Sequence, residues 1–187
     1  MANRSGRAPH PARLPAHGYF VTGTDTGVGK TLISCALLRA LAAQGRRAVG
    51  MKPVAAGAVE SACGLRNDDA VLLRAAGNVA APPALVNPYC LKAPIAPHLA
   101  AHQAGVQIEV ARIVRAFAQL AALADVVVVE GVGGFCVPLN ADEDSAELAR
   151  QLGLPVILVV GMRLGCLNHA LLTAQAIGAR GLRLAGW

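Results

Sequence analysis

Four consecutive valines and a glutamate, Val126 to Glu130, constrain the fold of this chain more than any other stretch. A strand that is apolar at every position has no face to offer water, so it belongs inside a sheet covered on both sides. Other strand-like runs occur at residues 18–22, 47–52, 155–161 and 182–187. Helical patterns separate them, at residues 31–43, 68–76, 110–124, 145–152 and 168–177. Strands alternating with helices predict an α/β fold: a doubly wound, mostly parallel sheet with helices on both faces. The length of 187 residues suits one domain, which buries about 70% of its unfolded surface. With only 3% aromatic residues, its core must be built from Val, Leu, Ile and Ala.

Composition excludes several classes. A chain that is 55% hydrophobic is not intrinsically disordered. Cys35, Cys63, Cys90, Cys136 and Cys166 are odd in number and form no CxxC pair, which argues against a disulfide scaffold and for a reduced, cytoplasmic setting. The mean hydropathy of +0.48 raises the question of a membrane span. The apolar runs nevertheless fall far short of the roughly 20 residues that a spanning helix needs. Residues 1–17 carry three Arg, no acid and no apolar stretch, and Pro9, Pro11 and Pro15 oppose an amphipathic helix. They read as a disordered basic tail that accounts for half of the +6 net charge. No basic stripe interleaves with aromatics, so nucleic acid is not an expected partner.

In doubly wound sheets, ligands sit beyond the carboxyl ends of the strands. The segment after the first strand reads Gly23-Thr-Asp-Thr-Gly-Val-Gly-Lys30-Thr31 and opens a helix. Glycines there let backbone N–H groups curl around phosphate oxygens, and the helix N-terminus adds partial positive charge. Lys30 is placed to reach the outer phosphates of a nucleotide, and Thr31 to offer its hydroxyl to Mg²⁺. The spacing is a variant of the P-loop: Thr24 stands where the first glycine is usual. Glu130 ends the apolar strand as the acid that pairs with such a loop at the metal. Gly131, Gly133 and Gly134 follow it. Only Lys30, Lys52 and Lys92 represent lysine among 17 basic residues. Lys52 ends the second strand at the rim where a ligand would lie, and a compact ammonium there stabilises an anion as a point charge.

These segments together resemble the dethiobiotin synthetase family. The matching stretches are YFVTGTDTGVGKT (19–31), KPVAAG (52–57), GLRNDDA (64–70) and VNPYCLKAPIAPHLAA (86–101). They continue with VVVEGVGG (127–134), LPVILVVGMRLGCLNHALLTAQAI (154–177) and GLRLAGW (181–187). The resemblance implies a P-loop NTPase type of fold and an ATP-dependent cyclo-ligase. It would join 7,8-diaminononanoate and CO₂ into dethiobiotin, releasing ADP and phosphate, with Mg²⁺ as cofactor and ATP as co-substrate. ATP binding is implied for Gly27, Val28, Gly29, Lys30, Thr31, Leu32, Asp69, Glu130, Gly131, Val132 and Gly133. Thr31, Asp69 and Glu130 would surround the metal, and Lys52 and Lys30 would be catalytic. Thr26, Lys52 and Ala56 would lie on the substrate side. The family works as a homodimer, so the substrate carboxylate is implied to reach Gly165, Cys166, Leu167 and Asn168 of the partner subunit. His98 and His169 match family positions, but packing or capping is the reading we give them.

Three departures accompany the resemblance. Ala56 stands where the family often has Ser, and Gly27 where some members carry an acid. The family chain also continues beyond Gly-Trp into an Asn-Asp motif and a further segment that hold the adenine. The resemblance therefore implies a domain over residues 18–187 whose C-terminal part is missing. Two alternatives share the same motifs: a truncated, inactive member of the family, and a partition-type P-loop ATPase switch. The partition ATPases carry a second Lys early in the loop, where this chain has Thr24 and Asp25.

Overall fold

The computed structural model of the chain describes residues 18–62 and 64–187. The expected disordered tail at 1–17 lies outside the described residues, as does Cys63. The elements run β1 (Gly18–Gly23), α1 (Lys30–Ala43), β2 (Ala48–Met51), β3 (Val54–Ala55), β4 (Val59–Ser61) and β5 (Gly64–Arg66). Next come α2 (Asp68–Ala76), α3 (Pro83–Val86), β6 (Tyr89–Cys90), α4 (Pro97–Gln103), α5 (Val110–Leu123) and β7 (Val126–Glu130). The chain closes with α6 (Ser145–Leu152), β8 (Val156–Val159), α7 (Cys166–Ala179) and β9 (Leu184–Gly186).

Five of these strands form one parallel sheet in the order β2-β7-β1-β8-β9. The valine run lies second from one edge, with all five residues of β7 buried. Its side chains divide between two apolar layers, which is why every position must be apolar. Val127 and Val129 join the larger layer with Ile113, Phe117 and Leu120 of α5. Val128 joins the smaller layer with Leu38 of α1 and Leu73 of α2. Fully burying a side chain of this size stabilises the fold by about 1.5–3 kcal/mol.

The strand order fixes where chemistry can happen. β1 lies between β7 and β8, so the chain leaves its carboxyl end with a neighbouring strand on each side. The Val21–Glu130 register and the Gly131 N–H donating to the Val21 carbonyl at 2.9 Å bring the ends of β1 and β7 together. The expected doubly wound class is therefore the observed one. Small elements escaped the sequence pattern: the two-residue pair β3–β6, the hairpin β4–β5, and the helices α3 and α4. Among the described residues, no helix is long and apolar enough to cross a membrane.

Candidate functional site

The loop after β1 turns because of its glycines. Gly29 has φ +100° and caps the N-terminus of α1 with no side-chain hydrogen bond among the described residues. An L side chain rarely adopts that conformation, so Gly is required there. The first-turn N–H groups are thus left to an outside acceptor, with no acid on the first turn to occupy them. At Gly23 the reason is space, since a Cβ would sit 2.7 Å from the side chain of Val28. Lys30 opens α1, only 7% exposed, and its Nζ donates to the Asp25 carbonyl at 2.8 Å. Burial pushes the Lys30 ammonium below its usual range. The neighbouring Lys52 acts the same way, against the pull of Glu130, Asp69 and Asp25.

At the next residue, Thr31, a compact polar cluster forms from four segments of the chain. Thr31 Oγ1 lies 2.9 Å from Asp69 Oδ1 and 2.9 Å from Glu130 Oε1. Lys52 Nζ, on a residue 3% exposed, lies 2.6 Å from Glu130 Oε1 and 2.9 Å from Asp69 Oδ2. It also donates to the Gly131 carbonyl at 3.2 Å. Burial alone would raise the Asp69 carboxyl, but the Lys52 ammonium, aided by the Thr31 hydroxyl and Lys30, outweighs it and holds the group below the usual carboxylate range.

The cluster has more acceptors than donors. One hydroxyl hydrogen on Thr31 cannot serve two carboxylate oxygens at once. Glu130 Oε2 is buried with no hydrogen-bond partner among the described residues. A pocket of hard oxygens short of protons suits a divalent cation such as Mg²⁺, which binds one or two carboxylates and takes its remaining ligands from water or phosphate. Among the described residues no group of three or more His, Cys, Asp or Glu forms a metal cage, and such a shared site does not need one.

A cleft of about 870 Å³ opens over this cluster. It brings together Thr26, Gly27, Gly29, Lys30, Thr31, Lys52, Ala56, Asp69, Glu130, Val132 and Gly133 from the expected set. Thr26 faces Gly133, whose Cβ position is 3.6 Å from the Thr26 hydroxyl. Three residues expected to bind ATP stand apart from the lining. Val28 packs against Gly23 and Gly161, Leu32 is exposed on α1, and Gly131 is buried with its Cβ position 3.3 Å from the Phe20 ring. Gly165, Cys166, Leu167 and Asn168 lie at the start of α7 and do not line the cleft of this chain. His98 and His169 also stay outside the cleft.

Other residues shape the site without having been expected. Asn67 caps α2 by accepting the Ala70 N–H at 3.3 Å, which sets Asp69 in the first turn. An Asn-Asp-Asp run before a helix is a capping signal that could have been read. Asn87 Nδ2 donates to the carbonyls of Lys52 at 2.6 Å and Tyr89 at 3.0 Å, pinning the chain on which Lys52 sits. Asp25 holds Lys30 through its carbonyl and pairs with Arg163 through its carboxylate. The Pro94–Pro97 turn forms the opposite rim.

A strand, a glycine loop that caps a helix, the Lys and Thr that open that helix, and a strand-terminal acid define a P-loop nucleotide-binding protein. The BceF tyrosine kinase domain shares this fold at TM-score 0.51 and 16% identity, covering 91% of this chain and 66% of that one. A family described as AAA domain matches residues 17–187. The ATP-dependent dethiobiotin synthetase BioD of Aromatoleum aromaticum is 62% identical over 169 residues, covering 90% of this chain and 75% of the relative. The protein of the same name from Ralstonia nicotianae is 62% identical over 168 residues, covering 90% and 73%. The chain belongs to the dethiobiotin synthetase family.

Proposed function

We propose that this chain is an ATP-dependent ligase of biotin biosynthesis that closes the ureido ring of dethiobiotin from 7,8-diaminononanoate and CO₂. The convergence of Thr31, Lys52, Asp69 and Glu130 at the mouth of the phosphate loop carries this reading. In it, N–H groups of Gly27–Gly29 and the start of α1 hold the ATP phosphates, and Lys30 leaves the Asp25 carbonyl to neutralise their outer charge. Thr31, Asp69 and Glu130 would hold Mg²⁺, which neutralises phosphate charge when bound.

Lys52 meets the same carboxylates and lines the cleft together with Thr26 and Ala56, the residues we assign to its substrate side. It would hold the carbamate that one substrate amine forms with CO₂. The carbamate oxygen attacks the γ-phosphorus and ADP departs. The second amine then attacks the activated carbonyl carbon, closing the ring and expelling phosphate. The protein needs no covalent step, since positioning and fixed positive charge supply the acceleration.

A homodimer is part of the proposal. Helix α7 buries only Ile177 among its residues. Leu164, Leu167, Leu171 and Leu172 stand exposed along it and the preceding loop. A second copy covering this face would carry Gly165, Cys166, Leu167 and Asn168 toward the partner's cleft, where N–H groups at the helix start suit a carboxylate. A cytoplasmic setting fits the cysteines, which are unpaired among the described residues. Incubating the purified protein with diaminononanoate, bicarbonate, Mg²⁺ and ATP should yield dethiobiotin. A folded protein that makes none contradicts the proposal.

A further inference from the structure

Lys52 stands among the carboxylates proposed to hold the cation. Lys52 Nζ bridges Glu130 Oε1 and Asp69 Oδ2, and the other Asp69 oxygen and the same Glu130 oxygen meet the Thr31 hydroxyl. An ammonium and a divalent ion cannot both use Glu130 Oε1 at close range in a site this buried, because their repulsion is little screened there. We propose that Lys52 acts as a tethered counter-ion that holds Asp69 and Glu130 in place and keeps bare divalent cations off them. It releases the two carboxylates only when a cation arrives together with nucleotide phosphates. This rests on the reading of Thr31, Asp69 and Glu130 as the cation site.

Charge supports the exchange. Asp69 and Glu130 bring two negative charges, and Lys52 balances one of them at contact distance. A bare cation must displace that ammonium and gains only a few protein oxygens in return. A nucleotide-bound cation brings phosphates that Lys30 and the α1 N-terminus attract, and these give the displaced ammonium new anionic partners. In this proposal Lys52 has two stations: on the carboxylates until a nucleotide-bound cation arrives, and on the substrate side afterwards. Its link to the Gly131 carbonyl, 3.2 Å away, lies on the cleft-lining loop after β7.

Mn²⁺ binding to nucleotide-free protein, followed by loss of the free-ion electron paramagnetic resonance signal, tests the proposal. Lys52→Gln should bind bare Mn²⁺ at least about tenfold more tightly than the unaltered protein, since it leaves buried Glu130 and half-exposed Asp69 short of a counter-ion. Lys52→Arg should stay weak, and Lys52→Gln with Glu130→Gln should return to weak binding. Equal bare-Mn²⁺ affinity for the unaltered protein and Lys52→Gln would overturn the counter-ion role while leaving the cation site standing. Failure of all forms to bind Mn²⁺ even with a non-hydrolysable ATP analogue would overturn the cation site as well. Should Lys52→Gln fail to fold, the unaltered protein suffices, because lysine NH₃⁺ resonances from only three lysines can be assigned. The Lys52 resonance should move with Mg²⁺ plus the analogue and stay in place with Mg²⁺ alone. The same movement with Mg²⁺ alone would overturn the proposal.

Discussion

Helices α1 and α7 begin alike and end up in opposite surroundings. Each is 14 residues long and capped by a left-handed glycine, Gly29 at φ +100° and Gly165 at φ +92°, with no acid on its first turn. The start of α1 is enclosed by Lys30, Lys52, Asp69 and Glu130 under an 870 Å³ cleft. The start of α7 faces outward, between exposed Leu164 and exposed Leu167. A helix N-terminus alone is therefore only an invitation to an anion. What would make a phosphate site of α1 is the charge gathered around it from the end of β2, from α2 and from β7. What α7 lacks in this chain is a partner surface, and the proposed second copy would supply one.

The largest effect should come from removing the charge that separates the two ends. Lys30→Gln should lower kcat by about 10²- to 10³-fold in steady-state assays, with the fold unchanged by circular dichroism. A loss below threefold would mean that α1 needs no more than its backbone.

Replacing the caps sharpens the comparison next. Among the described residues, a Cβ at Gly29 or Gly165 meets nothing within 4 Å, so the cost of Ala is conformational. Each of Gly29→Ala and Gly165→Ala should destabilise the chain by about 1–2 kcal/mol in urea unfolding. Only Gly29→Ala should also weaken binding of an ATP analogue. Equal weakening by both would break the distinction drawn here.

Smaller still on the fold is the exposed face of α7. Leu171→Asp should change single-chain stability by less than about 0.5 kcal/mol, as exposed substitutions do. It should nevertheless shift sedimentation from dimer toward monomer. A dimer that persists unchanged would place the interface elsewhere.

The smallest effect lies on α6, outside the residues that line the cleft. The guanidinium of Arg150, with Gln151, holds the Glu147 carboxyl down at about 2. A depressed carboxylate contributes stability above its unfolded value near 4.5, and that contribution fades as pH falls toward 2. Glu147→Gln should therefore flatten the acid limb of a stability–pH curve over that window, by a few tenths of a kcal/mol as befits an exposed pair.

Both the sheet and three of the cluster's four residues were legible in the sequence. Val126–Glu130 announced an interior strand, because total burial demands an unbroken apolar run, and its terminal acid gained meaning from the phosphate loop elsewhere in the chain. The phosphate loop was legible because strand, glycines, Lys and helix are adjacent in sequence. Asp69 was not, on its own. It meets Thr31 from 38 positions away, and an acid opening a helix is usually only a favourable dipole partner. The resemblance pointed to it, and the fold brings it to the cluster. The supports given by Asn67 and Asn87 are hydrogen bonds of single side chains to backbone, which leave no periodic trace. β3, β6 and α3 are too short for any period to declare itself.

The central claim is that this cleft moves the γ-phosphoryl group of ATP onto a carbamate oxygen. Bicarbonate labelled with ¹⁸O, used before it equilibrates with water, tests that directly. The account predicts that released phosphate carries one ¹⁸O for each dethiobiotin formed. Dethiobiotin accompanied by unlabelled phosphate would contradict it.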